Sequence, residues 1–383
     1  MATRSTAAGL DEVVAATSRI CHIDGRRGVL AYRGHDIHDL ARHATFEEVC
    51  HLLWRGRLPT RPELGDLQTE LARYRALPEP VVRLLRSLPP GDLMDAVRSG
   101  VSVLAHHDPD AGDDSAAASR RKAVRLTAQT GTLVATLGRL AAGGAPLAPD
   151  PVLGHAANFL YLLTGERPGA LAARAFDVGL ILHADHELNA STFAARVAAA
   201  TLTDLHSAVV AGIAALKGPL HGGANAAVMR MLLAIGGDAD DRRVEDAVRG
   251  MLAGKRRVPG FGHRVYRTED PRATHLRRMS RDLGEQTGQP RWFRMSEVIE
   301  KVMREETGID ANVDFYSAST YHVLGIPADL FTPIFVASRV AGWTAHVLEQ
   351  YENTRLIRPR AEYVGPEHPQ PFVPLADRRA PSP

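Results

Sequence analysis

The sequence predicts an all-α protein, and three observations indicate that fold class. Of its 383 residues, 45% are hydrophobic but only 5% are aromatic, and alanine and leucine, which favour helices, are frequent. Apolar residues recur at helical spacing in one segment after another. Prolines and glycines separate these segments, as in packed helices joined by short loops. The chain is longer than one hydrophobic core usually accommodates, so we expect two domains.

Net charge and cysteine content argue against several classes of protein. The formal net charge is only +2, so no overall field attracts the chain to nucleic acid or to a membrane surface. Cys21 and Cys50 are too few for a disulfide framework and suit a reducing compartment. There is no run of eighteen apolar residues, and the N-terminal segment lacks the apolar part of a signal peptide. We therefore expect a soluble, cytoplasmic protein with no nucleic-acid or membrane partner.

The first half of the chain opens with a hairpin and continues as helices. Residues 18–32 read as two short strands around an Asp24-Gly25 turn, and this hairpin is the only sheet that the sequence predicts. Thr45 fits the first position of a capping box, which begins an amphipathic helix that Gly56 ends. The further helices predicted in this half are 61–77, 80–87, 91–104, 119–140 and 150–165.

The second half is predicted to be helical around several polar loops. Asn189 or Ser191 can cap a helix that continues over 193–216 without an internal proline and stops at Gly218-Pro219. Residues 255–273 form a structured loop, the segment 312–317 interrupts the helices, and the tail from residue 359 is expected to be disordered or to lie over a partner. The other helices predicted here are 224–235, 244–253, 274–284, 294–307 and 333–350.

Two clusters of histidines and acids raise the question of a metal site. The segment 106–115 contains two histidines and four aspartates, but their spacing matches no ligand motif, so a solvated loop is favoured. His183, Asp185 and His186 could bind a metal, although their order is not the HExxH of zinc proteases. We predict no metal, and a metal-dependent hydrolase stays as an alternative. The segment Gly260-Phe261-Gly262 lacks the third glycine and the leading strand of a dinucleotide site.

Three separate loops each carry a polar side chain in a glycine-lined or apolar setting: His221, His263 and Asp314. Two imidazoles and one carboxylate form a natural acid and base set, which can remove a proton from carbon while hydrogen bonds hold the developing enolate. Taken singly, a histidine beside glycines is more often a loop anchor, and an aspartate before an aromatic residue is more often a helix cap. Together they indicate a catalytic site.

Five ordered blocks of sequence carry a resemblance to a known family. The chain resembles citrate synthases of the short bacterial and archaeal type, and the similarity extends upstream to IDGRRGVLAYRGHDI and LLWRGRLPT, so that it covers nearly the whole chain. The five blocks are HADHELNASTFAARV, LKGPLHGGAN, VPGFGHRVYRTEDPRA, NVDFYSAS and FVASRVAGWTAHVLEQ.

The resemblance implies a homodimer of helical subunits with shared active sites. It implies a large domain built from residues 1–221 and 326–383 and a small domain, 222–325, that closes over the substrate. The family transfers the acyl group of acetyl-CoA to oxaloacetate and hydrolyses citryl-CoA to citrate and CoA, a reaction of the tricarboxylic acid cycle. Acetyl-CoA is then a co-substrate, and no permanently bound cofactor is expected.

The resemblance also assigns roles to individual residues. Asp314 corresponds to the base that takes the methyl proton, His221 to the group that stabilises the enol, and His263 to the group that polarises the ketone of oxaloacetate. Guanidinium forks are natural partners for the two carboxylates of oxaloacetate. The residues that match oxaloacetate ligands are His186, Arg272, Arg339 and Arg358, the last of which reaches in from the other subunit.

The loop before His263 matches the CoA-binding segment of the family. The residues predicted to contact CoA are Lys255, Arg256, Val258, Pro259, Gly260, Phe261 and Gly262. The chain has Ile309-Asp310-Ala311 where relatives commonly have a basic residue and a proline, which puts one CoA phosphate contact in doubt. The nearest rival function is 2-methylcitrate synthase, which uses propionyl-CoA, because one methyl group gives an apolar pocket little discrimination. A non-catalytic helical scaffold is a further alternative.

Overall fold

The structure is a computed structural model that describes residues 8–10 and 13–378, and it confirms the all-α fold class. Within those residues there are sixteen α-helices and one small sheet. The first eight helices are α1 Ile37–His43, α2 Phe46–Arg55, α3 Arg61–Tyr74, α4 Glu79–Ser87, α5 Leu93–Leu104, α6 Ala116–Ala141, α7 His155–Thr164 and α8 Ala170–His183. The other eight are α9 Ala190–Ala199, α10 Leu205–Leu216, α11 Ala224–Ile235, α12 Asp241–Ala253, α13 Ala273–Gln286, α14 Arg291–Thr307, α15 Val313–Val323 and α16 Phe331–Glu352.

The sheet contains the predicted hairpin and one strand more. Strands β1, Cys21–Asp24, and β2, Val29–Tyr32, pair antiparallel, with Cys21 opposite Tyr32. A third strand, β3, His35–Asp36, pairs antiparallel with β2. The prediction of two strands was therefore incomplete, because a strand of two residues shows no alternation that a sequence pattern could detect.

The predicted start and end of α2 are confirmed. The Thr45 side chain accepts from the backbone N–H of Glu48, and the Glu48 side chain accepts from the backbone N–H of Thr45, which completes the capping box. Gly56 ends the helix in the left-handed region at φ 80°, a conformation that costs glycine little. Local chemistry of this kind is readable from sequence because it involves residues within one turn.

Two predictions about helix boundaries are wrong. The predicted helix 193–216 is two helices, α9 and α10, and Asp204 caps the second by accepting from the backbone N–H of Ser207. No proline or glycine marks the break between α9 and α10, so the alanine-rich sequence looks like one continuous helix. The segment 312–317 does not interrupt the helices: Asn312 is the N-cap of α15, and the helix runs from Val313.

The segment 106–115 is not simply a solvated loop. The side chain of Asp108 is only 3% exposed and accepts two hydrogen bonds from the buried Arg125 of α6, at 2.6 and 3.0 Å. Around this pair lie further titratable groups, and the set forms what we call the Arg125 cluster: Asp108, Asp110, Lys122, Arg125 and His206. The solvated-loop prediction is therefore wrong for Asp108, whose partner lies in the next helix.

Helix α16 occupies the centre of the core and carries Arg339 and Trp343, both of which are buried. One continuous hydrophobic cluster joins it to helices from every part of the chain. The described C-terminal segment, 353–378, is largely exposed and contains only a short 3₁₀ turn, Leu375–Asp377; the end of the predicted tail, 379–383, lies outside the described residues. Among the residues described, no helix is long and apolar enough to cross a membrane.

Candidate active site

His221 lies in the tight turn that follows α10. Its backbone N–H donates to the carbonyl of Gly218 at 2.9 Å, and the next N–H, of Gly222, donates back to Leu216 at 3.1 Å. The turn directs the imidazole at the start of α9, where the backbone N–H of Ser191 donates to His221 Nε2 at 3.3 Å. Because Nε2 accepts this hydrogen bond, the proton of the neutral ring lies on Nδ1.

The orientation of His221 is supported by a chain of hydrogen bonds at Ser191. The Ser191 hydroxyl donates to Asn189 Oδ1 at 2.7 Å and accepts from Trp343 Nε1 at 3.2 Å, and its oxygen lies 2.9 Å from His221 Nε2. Burial, and then the positive charge of Arg339, lower the pKa of His221 to about 4. His221 is therefore neutral at physiological pH and presents an Nδ1–H donor.

His263 has the opposite tautomer. The backbone N–H groups of Val265 and Tyr266 both donate to His263 Nδ1, at 3.0 and 3.2 Å, so the proton of the neutral ring lies on Nε2. Burial first, and then the Arg272 guanidinium, lower the pKa of His263 to about 4, although Asp270 acts in the other direction. The His186 ring lies 5.2 Å away between centroids, and His186 Nε2 is 3.2 Å from the hydroxyl of Tyr266.

Asp314 lies in the first turn of α15 and is partly exposed. Its backbone N–H donates to Asn312, but its carboxylate forms no hydrogen bond or ion pair with any residue that the structure describes. Burial, assisted by the negative charge of Asp270, raises the pKa of Asp314 to about 6, and Arg272 and Arg339 limit the rise. Near neutral pH this carboxylate is mostly ionised and more basic than an ordinary aspartate.

Backbone pairing connects the loop that carries His263 to the segment that leads into Asp314. Phe261 and Ala311 form an antiparallel bridge, and the N–H of Asn312 donates to the carbonyl of Gly260 at 2.9 Å. A Cβ at Gly260 would lie 2.9 Å from the Cβ of Phe315, so only glycine permits this approach. The pairing brings the loops of His263 and Asp314 together, although 50 residues separate them in the sequence.

Two of the predicted arginines are buried beside these groups. Arg272 forms a bidentate pair with Asp270, at 2.7 and 2.9 Å, and Asp270 also accepts from the N–H of Val313. Asp270 was missed in the sequence because a carboxylate two residues before an arginine looks like any surface pair. Its burial and its bond to α15 show instead that it fixes Arg272 against the helix that carries Asp314.

Arg339 forms fewer hydrogen bonds with the described residues than Arg272 does. Its Nε donates to the carbonyl of His183 at 2.7 Å and its guanidinium lies 4.8 Å over the ring of Phe335. Burial lowers the pKa of Arg339 to about 10, and Nη1 has no hydrogen-bond partner among the described residues. A buried donor without a partner costs free energy. An anion bound beside Arg339 would supply the acceptor that Nη1 lacks.

The alternative metal site at residues 183–186 is not supported by the geometry. His183 Nδ1 lies 2.7 Å from the carbonyl of Gly179, Asp185 pairs with His346 at 3.2 Å, and His186 contacts Tyr266. The three side chains therefore have three different partners. Nowhere in the described ranges do three or more histidine, cysteine or acidic side chains come together as metal ligands.

The predicted CoA residues are divided between solvent and core. Lys255 and Arg256 are exposed at the end of α12, Pro259 and Gly262 are partly exposed, and Gly260 and the side chains of Val258 and Phe261 are buried.

Arg358 is not brought to the site within one chain: it lies in the exposed C-terminal segment and has no hydrogen bond or ion pair to the described residues. The other predicted site residues, His186, His221, His263, Arg272, Asp314 and Arg339, influence one another electrostatically and line one region.

Comparisons with known proteins agree with this geometry. A family profile described as "Citrate synthase, C-terminal domain" matches residues 9–360. "Citrate synthase 2" of Bacillus subtilis is 49% identical over 372 residues, which are 97% of this chain and 98% of that protein. A "2-methylcitrate synthase" of Shewanella oneidensis is 42% identical over 98% of this chain and 99% of its own.

A solved structure is also similar along nearly the full length. It is the citrate synthase of Thermoplasma acidophilum, described as a ternary complex with carboxymethyl coenzyme A and oxaloacetate. The TM-score is 0.90 at 32% sequence identity, and the match covers 97% of this chain and 99% of that one. The fold, the order of the sequence blocks and these similarities lead to one conclusion: this chain belongs to the citrate synthase family.

Proposed function

We propose that this chain is a citrate synthase, which condenses oxaloacetate with the methyl carbon of acetyl-CoA and hydrolyses citryl-CoA to citrate and CoA. The observation that carries the proposal is that three groups with different protonation states each lie within the electrostatic influence of one or both of two buried arginines, Arg272 and Arg339. They are a neutral His221 with its proton on Nδ1, a neutral His263 with its proton on Nε2, and an Asp314 carboxylate without a partner. Two hydrogen-bond donors and one base are what enolisation followed by condensation requires.

The first step is removal of a proton from the acetyl methyl group. A thioester methyl is a very weak acid, so the barrier falls only if the charge that develops on the thioester oxygen is stabilised as it forms. Asp314 takes the proton, helped by its raised pKa, and the Nδ1–H of His221 donates to the thioester oxygen. Because Nε2 of the neutral His221 accepts from the backbone N–H of Ser191, its Nδ1–H is left to donate to the thioester oxygen.

The second step forms the carbon–carbon bond. The Nε2–H of His263 donates a hydrogen bond to the ketone oxygen of oxaloacetate and stabilises the negative charge that forms there as the enol carbon attacks the ketone carbon. The proton that Asp314 took from the methyl group balances the proton that the new hydroxyl gains. Arg272, Arg339 and His186 hold the substrate carboxylates, and the unpartnered Nη1 of Arg339 is available for one of them. Water then attacks the thioester of citryl-CoA, which releases citrate and the CoA thiol.

The CoA co-substrate is proposed to lie along the loop of residues 255–262. The exposed side chains of Lys255 and Arg256 can meet its phosphates, while the backbone at 258–262 meets the adenine. The buried side chains of Val258 and Phe261 fix that backbone from behind. No group that stays permanently bound is needed for this chemistry.

We further propose that the active protein is a cytoplasmic homodimer whose subunits each have a large domain, 1–221 with 326–383, and a small domain, 222–325. Arg358 then completes the partner's site, which explains why it lies alone in an exposed segment. Helices α9 and α10 leave small and apolar side chains partly exposed, among them Phe193, Val197 and Val210. Tyr363, Val364 and Phe372 of the C-terminal segment are more than 70% exposed, and a second subunit would cover them.

The test is release of free CoA thiol from acetyl-CoA and from propionyl-CoA, with oxaloacetate present and with parallel samples that contain or lack EDTA. A kcat/KM that strongly favours acetyl-CoA supports the proposal. A preference for propionyl-CoA identifies a 2-methylcitrate synthase with every residue role unchanged. Activity that EDTA removes would revive the metal-dependent hydrolase, and no release from either substrate would favour the scaffold.

A further inference from the structure

The turn of the N-terminal hairpin packs directly against the loop that carries His263. We call residues 24–28 the hairpin turn and residues 263–269 the His263 loop. The backbone N–H of Arg267 donates to the carbonyl of Gly25 at 2.8 Å. The two segments are more than 200 positions apart in the sequence, and they belong to the proposed large and small domains respectively.

The contact leaves no room for side chains at two glycines. A Cβ at Gly25 would lie 2.2 Å from the carbonyl oxygen of Val265 and 2.8 Å from its carbonyl carbon, both of which are backbone atoms. A Cβ at Gly28 would lie 2.8 Å from Oγ1 of Thr268 and 3.4 Å from the carbonyl oxygen of Glu269. Since backbone atoms cannot rotate away, a methyl group at Gly25 must displace the His263 loop or the hairpin turn.

The residues that a Cβ at Gly25 or Gly28 would strike are close in sequence to His263 and Arg272 of the candidate active site. Val265, whose carbonyl faces Gly25, is the residue whose N–H donates to His263 Nδ1. Thr268 and Glu269, which face Gly28, immediately precede Asp270, the partner of Arg272. A displacement at the contact is therefore transmitted through one or two peptide units to both His263 and Arg272.

We propose that Gly25 and Gly28 are positioning residues, which seat the His263 loop so that His263 keeps its Nε2–H tautomer and Arg272 its place. The consequence for catalysis rests on the proposed function, because it concerns the group that polarises oxaloacetate. The hairpin turn is then part of the active-site machinery although it contributes no group to the reaction.

Matched glycines make the test specific. Gly28 and Gly34 both have positive φ, 66° and 86°, so alanine strains the backbone at each, but a Cβ at Gly34 would meet nothing within 4 Å. The control for Gly25 is Gly65, which lies in α3. Neither glycine has a positive φ, but a Cβ at Gly65 would meet nothing within 4 Å. We expect Gly25→Ala and Gly28→Ala to lower kcat/KM for oxaloacetate about 10- to 100-fold, the usual effect of an ångström-scale displacement, and Gly34→Ala and Gly65→Ala to change it less than about 2-fold.

A second substitution tests the contact itself. Thr268→Ala removes the atom that a Cβ at Gly28 would strike, so we expect Gly28→Ala with Thr268→Ala to recover most of the lost kcat/KM. We also expect the loss to appear with oxaloacetate rather than in the KM for acetyl-CoA. The proposal is overturned if Gly28→Ala behaves like Gly34→Ala, or if the double variant is no better than the single one.

A readout independent of turnover separates this proposal from the proposed function. In ¹⁵N-histidine NMR, with the His263 signals assigned by their loss in His263→Asn, wild type should show the neutral Nε2–H tautomer at pH 7. Gly25→Ala should mix the tautomers or raise the pKa of His263, and Gly65→Ala should not. If wild type releases no CoA thiol, the proposed function fails. If both the tautomer and the pKa of His263 are unchanged in Gly25→Ala, the positioning role fails whether or not the protein is active.

Discussion

The candidate active site and the Arg125 cluster contain the same kinds of groups but arrange them differently. In the Arg125 cluster, Arg125 reaches both Asp108 and Asp110 at 2.6 Å, and Lys122 donates to the carbonyl of Asp113 at 2.8 Å. In the active site, the Asp314 carboxylate and Nη1 of Arg339 have no hydrogen-bond partner within the described part of the chain. Arg125 and Arg339 are both buried, so the difference between these two arginines lies in their pairing.

The contrast separates stabilisation from reactivity. A buried charge whose hydrogen bonds are all satisfied holds two helices together, and removing one partner leaves the other exposed to the full cost of desolvation. A group that is buried without a partner destabilises the free protein but keeps its bonding capacity for a ligand or a transition state. Substitutions in the two regions should therefore change different observables.

The largest effect is expected for Asp314→Asn. The amide cannot accept the methyl proton, so kcat should fall by about 10³-fold or more while oxaloacetate binding stays nearly unchanged. The free energy of unfolding should not decrease, because the carboxylate that is removed has no partner to lose. Steady-state kinetics and urea unfolding check both, with Asp310→Asn in the same segment as the control. Turnover near that of wild type would remove Asp314 as the base.

The next effect concerns stability rather than turnover. Arg125→Met should lower the free energy of unfolding by about 3–5 kcal/mol, because the Asp108 side chain is left buried without the guanidinium that pairs with it. Arg121 also pairs with Asp110, at 2.7 Å, but its side chain is 45% exposed, so Arg121→Met should cost less than about 1 kcal/mol. Urea unfolding at one protein concentration measures both, and kcat of the folded protein should be unchanged. Equal losses in the two variants would contradict the distinction.

A smaller effect tests whether the site is completed by a second subunit. Arg358→Ala should raise the KM for oxaloacetate by about 10- to 100-fold, as expected for the loss of one charged carboxylate contact. A heterodimer of Arg358→Ala and Arg339→Ala subunits should recover activity, since one of its two sites then contains both arginines. Activity no higher than in either parent, in a verified heterodimer, would show that the site is not shared.

The pH dependence should be the mildest difference between the regions. Asp314 must be ionised to act as a base, and its pKa is raised to about 6, so kcat/KM should fall tenfold per pH unit below that value. His221 and His263 have their pKa lowered to about 4 and stay neutral over this range. A pH–rate profile checks the expectation, and constant kcat/KM down to pH 5 would contradict it.

The pKa shifts of the two histidines and of Asp314 make the free energy of unfolding change with pH in opposite directions. The two histidines bind fewer protons when folded than when unfolded, so their contribution to stability rises between about pH 4 and 6.5. Asp314 holds its proton more tightly when folded, so its contribution falls as the pH rises towards about 6. In Asp314→Asn, stability should therefore increase more steeply with pH than in wild type over this range.

Sequence reasoning succeeded where a signal is local and failed where it depends on distant partners. The capping box at Thr45 and the helix 224–235 were predicted correctly because caps, glycines and apolar spacing lie within a few residues. The break between α9 and α10 is marked only by the cap at Asp204, which alanine-rich flanks conceal. Burial of Asp108 and of Asp270 depends on residues of other elements, and no pattern around these aspartates indicates it.

The hydrogen bond that Arg339 lacks has a consequence for the lifetime of the protein. A dicarboxylate that supplies the missing acceptor binds the folded chain and not the unfolded one, so it stabilises the fold by mass action, by about 2.7 kcal/mol at a hundredfold excess over its Kd. The supply of substrate then determines how long each molecule survives heat and proteolysis, as well as how fast it turns over.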